Sequence, residues 1–277
     1  MPELPEVDSA RAVIARTVLN QRVVSVEDVD TYVCRPHSTE EFQSAMVGRR
    51  IVSVNRRGKL IWCELSALPG EGVVGPQLGL HLGMGGRIVV TDANARVVPE
   101  GDSTHGLAGE HQQQRWDRFT VHFGSGLSLR LVDKRRFGRV RLNPPVDALG
   151  PDALDVGLVE FRRLLARGTT TIKARLLDQS VLAGIGNLLA DELLWQSRIS
   201  PAKRVHRLSP DEVRDLHRAM RKAVRHSIAA GGSHTGRVIA ARHEGGVCPR
   251  CGAPMRHGTV GGRSTWWCER EQDGEHG

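Results

Sequence analysis

Asn143-Pro144-Pro145-Val146-Asp147-Ala148-Leu149-Gly150-Pro151 separates two parts of the chain whose apolar residues recur with different periods. Proline fixes φ and removes a backbone donor, so neither a strand ladder nor a helix runs through such a segment. Before it lie Val23-Val24-Ser25-Val26, Ile51-Val52-Ser53-Val54, Leu60-Ile61-Trp62-Cys63, Arg87-Ile88-Val89-Val90, Arg118 to Phe123 and Leu127 to Leu131. These runs are short, β-branched or alternating, and are parted by Gly, Asn or Asp turns. They predict an antiparallel β-sandwich. It is preceded by a helix from Glu6 to about Val18, on which Val7, Ala10, Val13 and Ile14 share one face. After the segment, Leu158 to Ala166, Ile172 to Gln179, Leu188 to Gln196 and Pro210 to Ala229 carry helical periodicity, the last with a strongly basic face, and Gly231-Gly232-Ser233 closes the block. From His243 onward the chain is rich in Gly, Cys and His, which suits a small metal-supported ribbon. The expected class is α+β multidomain: a β-sandwich with an N-terminal helix over 1–143, a linker over 144–150, a helical domain over 151–235 and a zinc-ribbon-like hairpin over 243–277. Pro99 to Gln114 is polar and Gly-rich and reads as a mobile loop.

Composition bounds the class of partner. The 277 residues include 39 Lys+Arg against 31 Asp+Glu, a net charge of +8, which favours a polyanion without identifying it. No apolar run approaches the length of about 20 residues that spans a bilayer, and the N-terminus lacks the pattern of a signal peptide, so no membrane partner and a cytoplasmic location are expected. Five cysteines fit that compartment: Cys34 and Cys63 stand alone and read as buried, inert thiols, whereas Cys248, Cys251 and Cys268 crowd the tail.

The N-terminus carries the sharpest chemistry. Removal of Met1 before the small Pro2 leaves a secondary amine, a nucleophile that forms a cationic iminium with an aldehyde carbon such as that of a sugar. Glu3 beside it can act as a general acid, and Glu6 can position water or the amine. The same residues also suit a proline-bearing arm that enters a helix at Glu6, with acids favoured in its first turn. Farther on, Gly184-Ile185-Gly186-Asn187 reads as a tight turn in which Asn187 caps the helix beginning at Leu188, and a helix N-terminus is also a phosphate site.

Met1-Pro2-Glu3-Leu4-Pro5-Glu6-Val7 resembles the opening of the formamidopyrimidine-DNA glycosylase and endonuclease VIII family of base-excision repair. Four further segments match in order: Arg56-Arg57-Gly58-Lys59, His81-Leu82-Gly83-Met84, Asp133-Lys134-Arg135-Arg136-Phe137-Gly138, and Gly184 to Asn187 followed by Asp191-Glu192-Leu193-Leu194. The resemblance implies a β-sandwich, a helix-two-turn-helix domain and a zinc ribbon, with damaged double-stranded DNA as partner of a monomer. By the same resemblance Pro2 is the nucleophile, Glu3 and Glu6 assist it, and Lys59 binds phosphate and donates a proton. His81 and Asn187 hold phosphates, and Arg263 reaches the lesion phosphate from the ribbon. Met84, Arg135 and Phe137 form the wedge that fills the gap left by a flipped nucleotide. The implied reaction is base excision through a proline Schiff base followed by β,δ-elimination. A non-catalytic damage-binding protein on the same scaffold is the alternative, and a basic RNA-binding ribbon protein leaves the N-terminal motif unexplained.

Two departures from the family stand out. Cys248, Cys251 and Cys268 keep the spacing of the ribbon, but Glu271 occupies the fourth cysteine position, so one structural zinc needs Glu271, His257 or His276 to complete it. Trp266 and Trp267 are expected in the ribbon core. Only Ser233 to Val247 separates the helical block from the ribbon, too little for the long loop that closes over 8-oxoguanine in formamidopyrimidine-type members.

Overall fold

The computed structural model describes residues 2–98, 114–166 and 168–272; the loop expected from Pro99 lies outside them except for Gln114. The chain clusters into two compact units, Met1–Pro2 with Val7–Val146, and Glu3–Glu6 with Asp147–Gly277.

The first unit is the sandwich. Its strands are β1 (Val23–Glu27), β2 (Ile51–Arg57), β3 (Leu60–Leu65), β4 (Gln77–His81), β5 (Arg87–Thr91), β6 (Asp117–Phe123), β7 (Ser128–Val132) and β8 (Arg139–Leu142). They form two antiparallel four-stranded sheets, ordered β1-β6-β7-β5 and β2-β3-β4-β8, and α2 (Thr39–Met46) adds Phe42 and Met46 to the same core. Alternation sets the core: along β3, Ile61, Cys63 and Leu65 are buried while Leu60, Trp62 and Glu64 are half-buried. Ile61, Leu80 and Val140 from one sheet and Ile88, Phe119 and Leu131 from the other share one apolar cluster with Val13 and Ile14 of α1 (Leu4–Val18). β4 and β8 escaped the periodicity reading, because Gln77-Leu78-Gly79-Leu80-His81 and Arg139-Val140-Arg141-Leu142 are too short and polar to stand out. At Gly79 a Cβ would lie 2.6 Å from the Pro144 ring, so the start of the sequence divider packs flat on β4.

The second unit holds α3 (Leu158–Leu165), α4 (Ile172–Leu177), α5 (Asn187–Gln196) and α6 (Pro210–Ala229), then the hairpin β9 (Arg256–Val260) and β10 (Arg263–Trp267) and the short α7 (Glu269–Gln272). Ser209 and Glu212 form a capping box with Pro210 in the first turn, which fixes the start of α6. Leu4 is fully buried in this helical core with Leu176, Ile185, Leu189 and Leu193, so part of the first turn of α1 clusters here and not with the strands that follow it in sequence. The ribbon shares its core with the helices too: Trp195 of α5 packs with Val238, Cys248, Met255 and Cys268, and Trp266 lies against that cluster. Trp195, not the tryptophan pair alone, supplies the bulk. Among the described residues no helix is long and apolar enough to cross a membrane.

Candidate functional site

Glu3 is 1 % exposed, a burial that a carboxylate tolerates only with full pairing. It accepts hydrogen bonds from the backbone N–H groups of Gly186 (3.1 Å), Leu188 (2.8 Å) and Leu189 (3.0 Å). These are the donors that the first turn of α5 leaves unpaired, so a carboxylate made 183 residues earlier caps this helix. Asn187 does not cap it, contrary to the sequence expectation. It is the first residue of α5, its Nδ2 donates to the Ser264 carbonyl at 2.8 Å, and its buried Oδ1 has no hydrogen-bond partner among the described residues. The close fit explains Gly186, since a Cβ there would lie 2.2 Å from the Glu3 carboxyl carbon. Glu6 completes the knot: Oε2 accepts from the Glu3 N–H at 2.9 Å, and Oε1 accepts from the Ser233 N–H and Oγ at 2.6 and 2.7 Å. Three N–H donors fix the position and orientation of the Glu3 carboxyl group at the start of α5.

Behind Glu3 lies a network that sequence reasoning missed. Lys173 and Asp191 are both completely buried and pair at 2.6 Å. Lys173 Nζ also donates to Thr265 Oγ1 (2.7 Å) and the Ser264 carbonyl (3.3 Å), while Asp191 Oδ2 accepts from Arg242 Nε (2.8 Å) and the Trp266 N–H (3.2 Å). Burial pushes the Lys173 pKa down, and the Asp191 charge opposes that. The hairpin is thus fastened to α4 and α5. Its tip, Gly261-Gly262, has φ of +60° and +70°, the pattern of a two-residue type I′ turn, and a Cβ on Gly261 would lie 2.9 Å from Ala174. Arg263 follows that tip, exposed on a hairpin that is itself held fast. Glu192 anchors the connection after α6: Oε2 accepts the Val238 N–H at 2.8 Å, and a Cβ on Gly236 would lie 2.7 Å from that oxygen. The Ser233-to-Val247 segment therefore lies against α5 through Val238 and Arg242.

In the sandwich unit a second group assembles. Gly83 has φ +60° and a Cβ there would lie 2.3 Å from the Phe137 carbonyl carbon, so the turn after β4 meets the loop after β7 backbone to backbone. That approach presents Met84 and Phe137, 42 % and 43 % exposed, beside Arg135, whose Cζ lies 4.9 Å from the Phe137 ring centroid. Asp133, 1 % exposed, pins the loop: Oδ1 accepts the Arg135 N–H at 2.9 Å and Oδ2 the Gly138 N–H at 2.7 Å. Arg136 between them takes φ +57°, held by its pair with Asp30 at 2.8 Å. Lys59 sits in the two-residue turn of the β2–β3 hairpin, not on the strand; Gly58 supplies the positive φ. His81 ends β4, and its Nδ1 accepts the Gly83 N–H at 3.1 Å, so the neutral ring presents its proton on Nε2. Burial and the nearby Lys59 and Arg139 charges lower its pKa, which keeps it neutral.

Cys248, Cys251 and Cys268 bring their sulfurs within 4.8 Å of one another, close enough to share a metal ion. Burial works against a thiolate at Cys248, but the Trp195 indole N–H at 3.3 Å and the backbone N–H groups of Arg250 and Cys251 outweigh it and bring its pKa to about 7. N–H donors aimed at sulfur suit a metal-bound thiolate. Glu271 stands outside this cluster: its Oε2 pairs with Arg250 at 3.0 Å and Arg198 at 3.4 Å. His257 bonds Ser264 Oγ at 2.9 Å and stacks on Trp266, and His276 lies outside the described residues.

Comparison with known proteins gives these geometries a context. Residues 1–140 match the formamidopyrimidine-DNA glycosylase N-terminal domain, and residues 149–238 match the formamidopyrimidine-DNA glycosylase H2TH domain. The chain is 35% identical over 294 residues to a formamidopyrimidine-DNA glycosylase of Roseiflexus sp. (strain RS-1), covering 97% of this chain and 98% of that protein. It is likewise 35% identical over 238 residues to one of Arabidopsis thaliana, spanning 82% of this chain and 58% of the plant protein. Among solved structures it is similar to Lactococcus lactis Fpg in complex with DNA containing an abasic site, with a TM-score of 0.79 and 26% identity over 99% of this chain and 100% of the other.

Proposed function

Because the chain belongs to the formamidopyrimidine-DNA glycosylase family of DNA-repair enzymes, we propose that it is a bifunctional DNA glycosylase and AP lyase working through the Pro2 amine. One observation carries this reading: the Glu3 carboxylate is capped by three α5 N–H groups while Glu6 ties the same turn to Ser233. An N-terminal arm with no task gains nothing from so exact a tether. With Met1 removed, Glu3 takes a proton from the Pro2 ammonium, and the free amine attacks C1′ of the damaged nucleotide as the base leaves. The remaining proton on the Pro2 nitrogen passes to the departing base, Glu3 returns its proton to the ring oxygen, the sugar opens, and a cationic iminium with no hydrogen on nitrogen forms. Its positive charge acidifies C2′, so proton loss breaks the C3′–O bond, and a second elimination breaks the C5′–O bond. Lys59, neutral His81, Asn187 and Arg263 are assigned to backbone phosphates, and Met84, Arg135 and Phe137 to the space vacated by the flipped nucleotide.

Substrate choice follows from the connection after α6. A segment of 15 residues tied to α5 through Val238 and Arg242 offers little chain for a lid over a flipped purine. Ring-opened purines, oxidised pyrimidines and abasic sites are therefore expected to react faster than 8-oxoguanine opposite cytosine. The test is single-turnover excision on duplexes differing in one lesion, with borohydride added to trap the adduct and peptide mapping to place it. The adduct maps to Pro2; a trap that forms equally well with Met1 retained overturns the mechanism, and fastest excision of 8-oxoguanine overturns the substrate assignment.

Zinc is assigned to Cys248, Cys251 and Cys268 as a structural ion that would brace the ribbon. With Glu271 paired to Arg250 and Arg198, a fourth ligand is not assigned among the described residues. Elemental analysis of protein purified without added metal should find about one zinc per chain, unchanged in Glu271→Gln; loss of zinc in that variant would restore Glu271 as ligand.

A further inference from the structure

The basic stripe of α6 is not used by the chemistry above. Arg214, Arg218, Arg221 and Arg225 recur at helical spacing on one face, and with His217 and Lys222 they line an open groove of about 540 Å³. The opposite face, with Val213, Leu216, Met220 and Val224, is buried in the helical core together with the α5 residues Leu189 and Leu193. The stripe therefore faces away from the helix whose N-terminus holds Glu3. Asp211 and Asp215 offset Arg214 and Arg218 from one turn away, but no acidic residue occurs from Leu216 to His243, and Arg221, Lys222 and Arg225 have no carboxylate partner among the described residues.

We propose that this groove binds the phosphate backbone of a second duplex segment. The eleven helical steps from Arg214 to Arg225 rise about 16 Å, the spacing of about five phosphates on one strand. The groove is lined by five Arg or Lys side chains and His217, with no Trp, Tyr, Phe or aliphatic side chain of the kind that anchors protein and peptide partners, whereas a polyanion needs none. Holding a second segment keeps the protein on DNA while the lesion site samples the first.

The inference rests on the repair reading for the identity of the first segment, yet its test needs no excision. A biotinylated lesion-free duplex on beads captures a second, fluorescent duplex through the full-length protein. Wild type bridges the two, and R221A/K222A/R225A loses at least tenfold in capture while its single-turnover excision stays within twofold. The conservative R221K/R225K retains capture, which separates loss of charge from loss of fold. The dependence of capture on log salt flattens in the alanine variant by about 2.7, from roughly 0.9 per phosphate no longer neutralised. Equal capture by the alanine variant, no capture by wild type, or displacement of the second duplex by a polyglutamate peptide of equal charge each overturns the proposal. Bridging without excision would instead overturn the repair reading and leave this one standing.

Discussion

Asp133 and Glu3 are each 1 % exposed and each accept backbone N–H groups from a loop that carries proposed site residues, yet they hold those loops to different ends. Asp133 faces inward, and the product of its bonds is a surface: Met84, Arg135 and Phe137 stand exposed on a rigid base. Glu3 is the anchor and, in the proposed mechanism, also the reagent, because its carboxylate caps α5 and it adjoins Pro2, the proposed nucleophile, in the chain. Under that proposal the difference separates a carboxylate that positions others from one that itself takes part. It also implies that the same kind of substitution should produce unlike losses at the two places.

The largest effect is expected at Glu3. Glu3→Gln leaves one acceptor where there were two and removes the charge, so excision of a damaged base should fall by about 10² to 10⁴, while cleavage at a preformed abasic site falls much less. Equal losses on both substrates in single-turnover assays would erase the distinction drawn here. Next comes Lys173→Met, which leaves Asp191 buried with only Arg242 as a charged partner. It should destabilise the protein by about 3–5 kcal/mol in urea titration, and a cost near zero would mean that the pair is dispensable. Smallest is Asp133→Asn. Losing one of two loop bonds costs about 1–3 kcal/mol and should weaken binding of an intact lesion duplex by roughly tenfold, a factor that corresponds to about 1.4 kcal/mol, without changing cleavage of a single-stranded abasic site. A matching loss on the single strand would make Asp133 part of the chemistry after all.

Much of this was legible in the residues. The change of period at Asn143 to Pro151 located the passage from strands to helices, and the basic face of α6 followed from spacing alone. What escaped was non-local. Nothing near Gly186 indicates that its helix is capped from Glu3, so Asn187, the nearest polar candidate, was assigned that task. Lys173 looks like any polar residue within Ile172-Lys173-Ala174-Arg175, and only the approach of Asp191 and Thr265 shows it to be buried. Glu271 stood at the spacing of a ligand, but Arg198 and Arg250 compete for it from positions that spacing cannot reveal.

The Asp191 hub bears on how this half of the molecule comes apart. Local opening proceeds in cooperative blocks, and a block ends where bonds and packing become sparse. Asp191 and Lys173 join α4, α5, the Arg242 turn and β10 through completely buried groups, so no sparse boundary separates hairpin from helix. The amide protons of Trp266 and Leu189 thus belong to one exchange unit. Even with no metal at its three cysteines, the ribbon would stay docked until α5 itself opens.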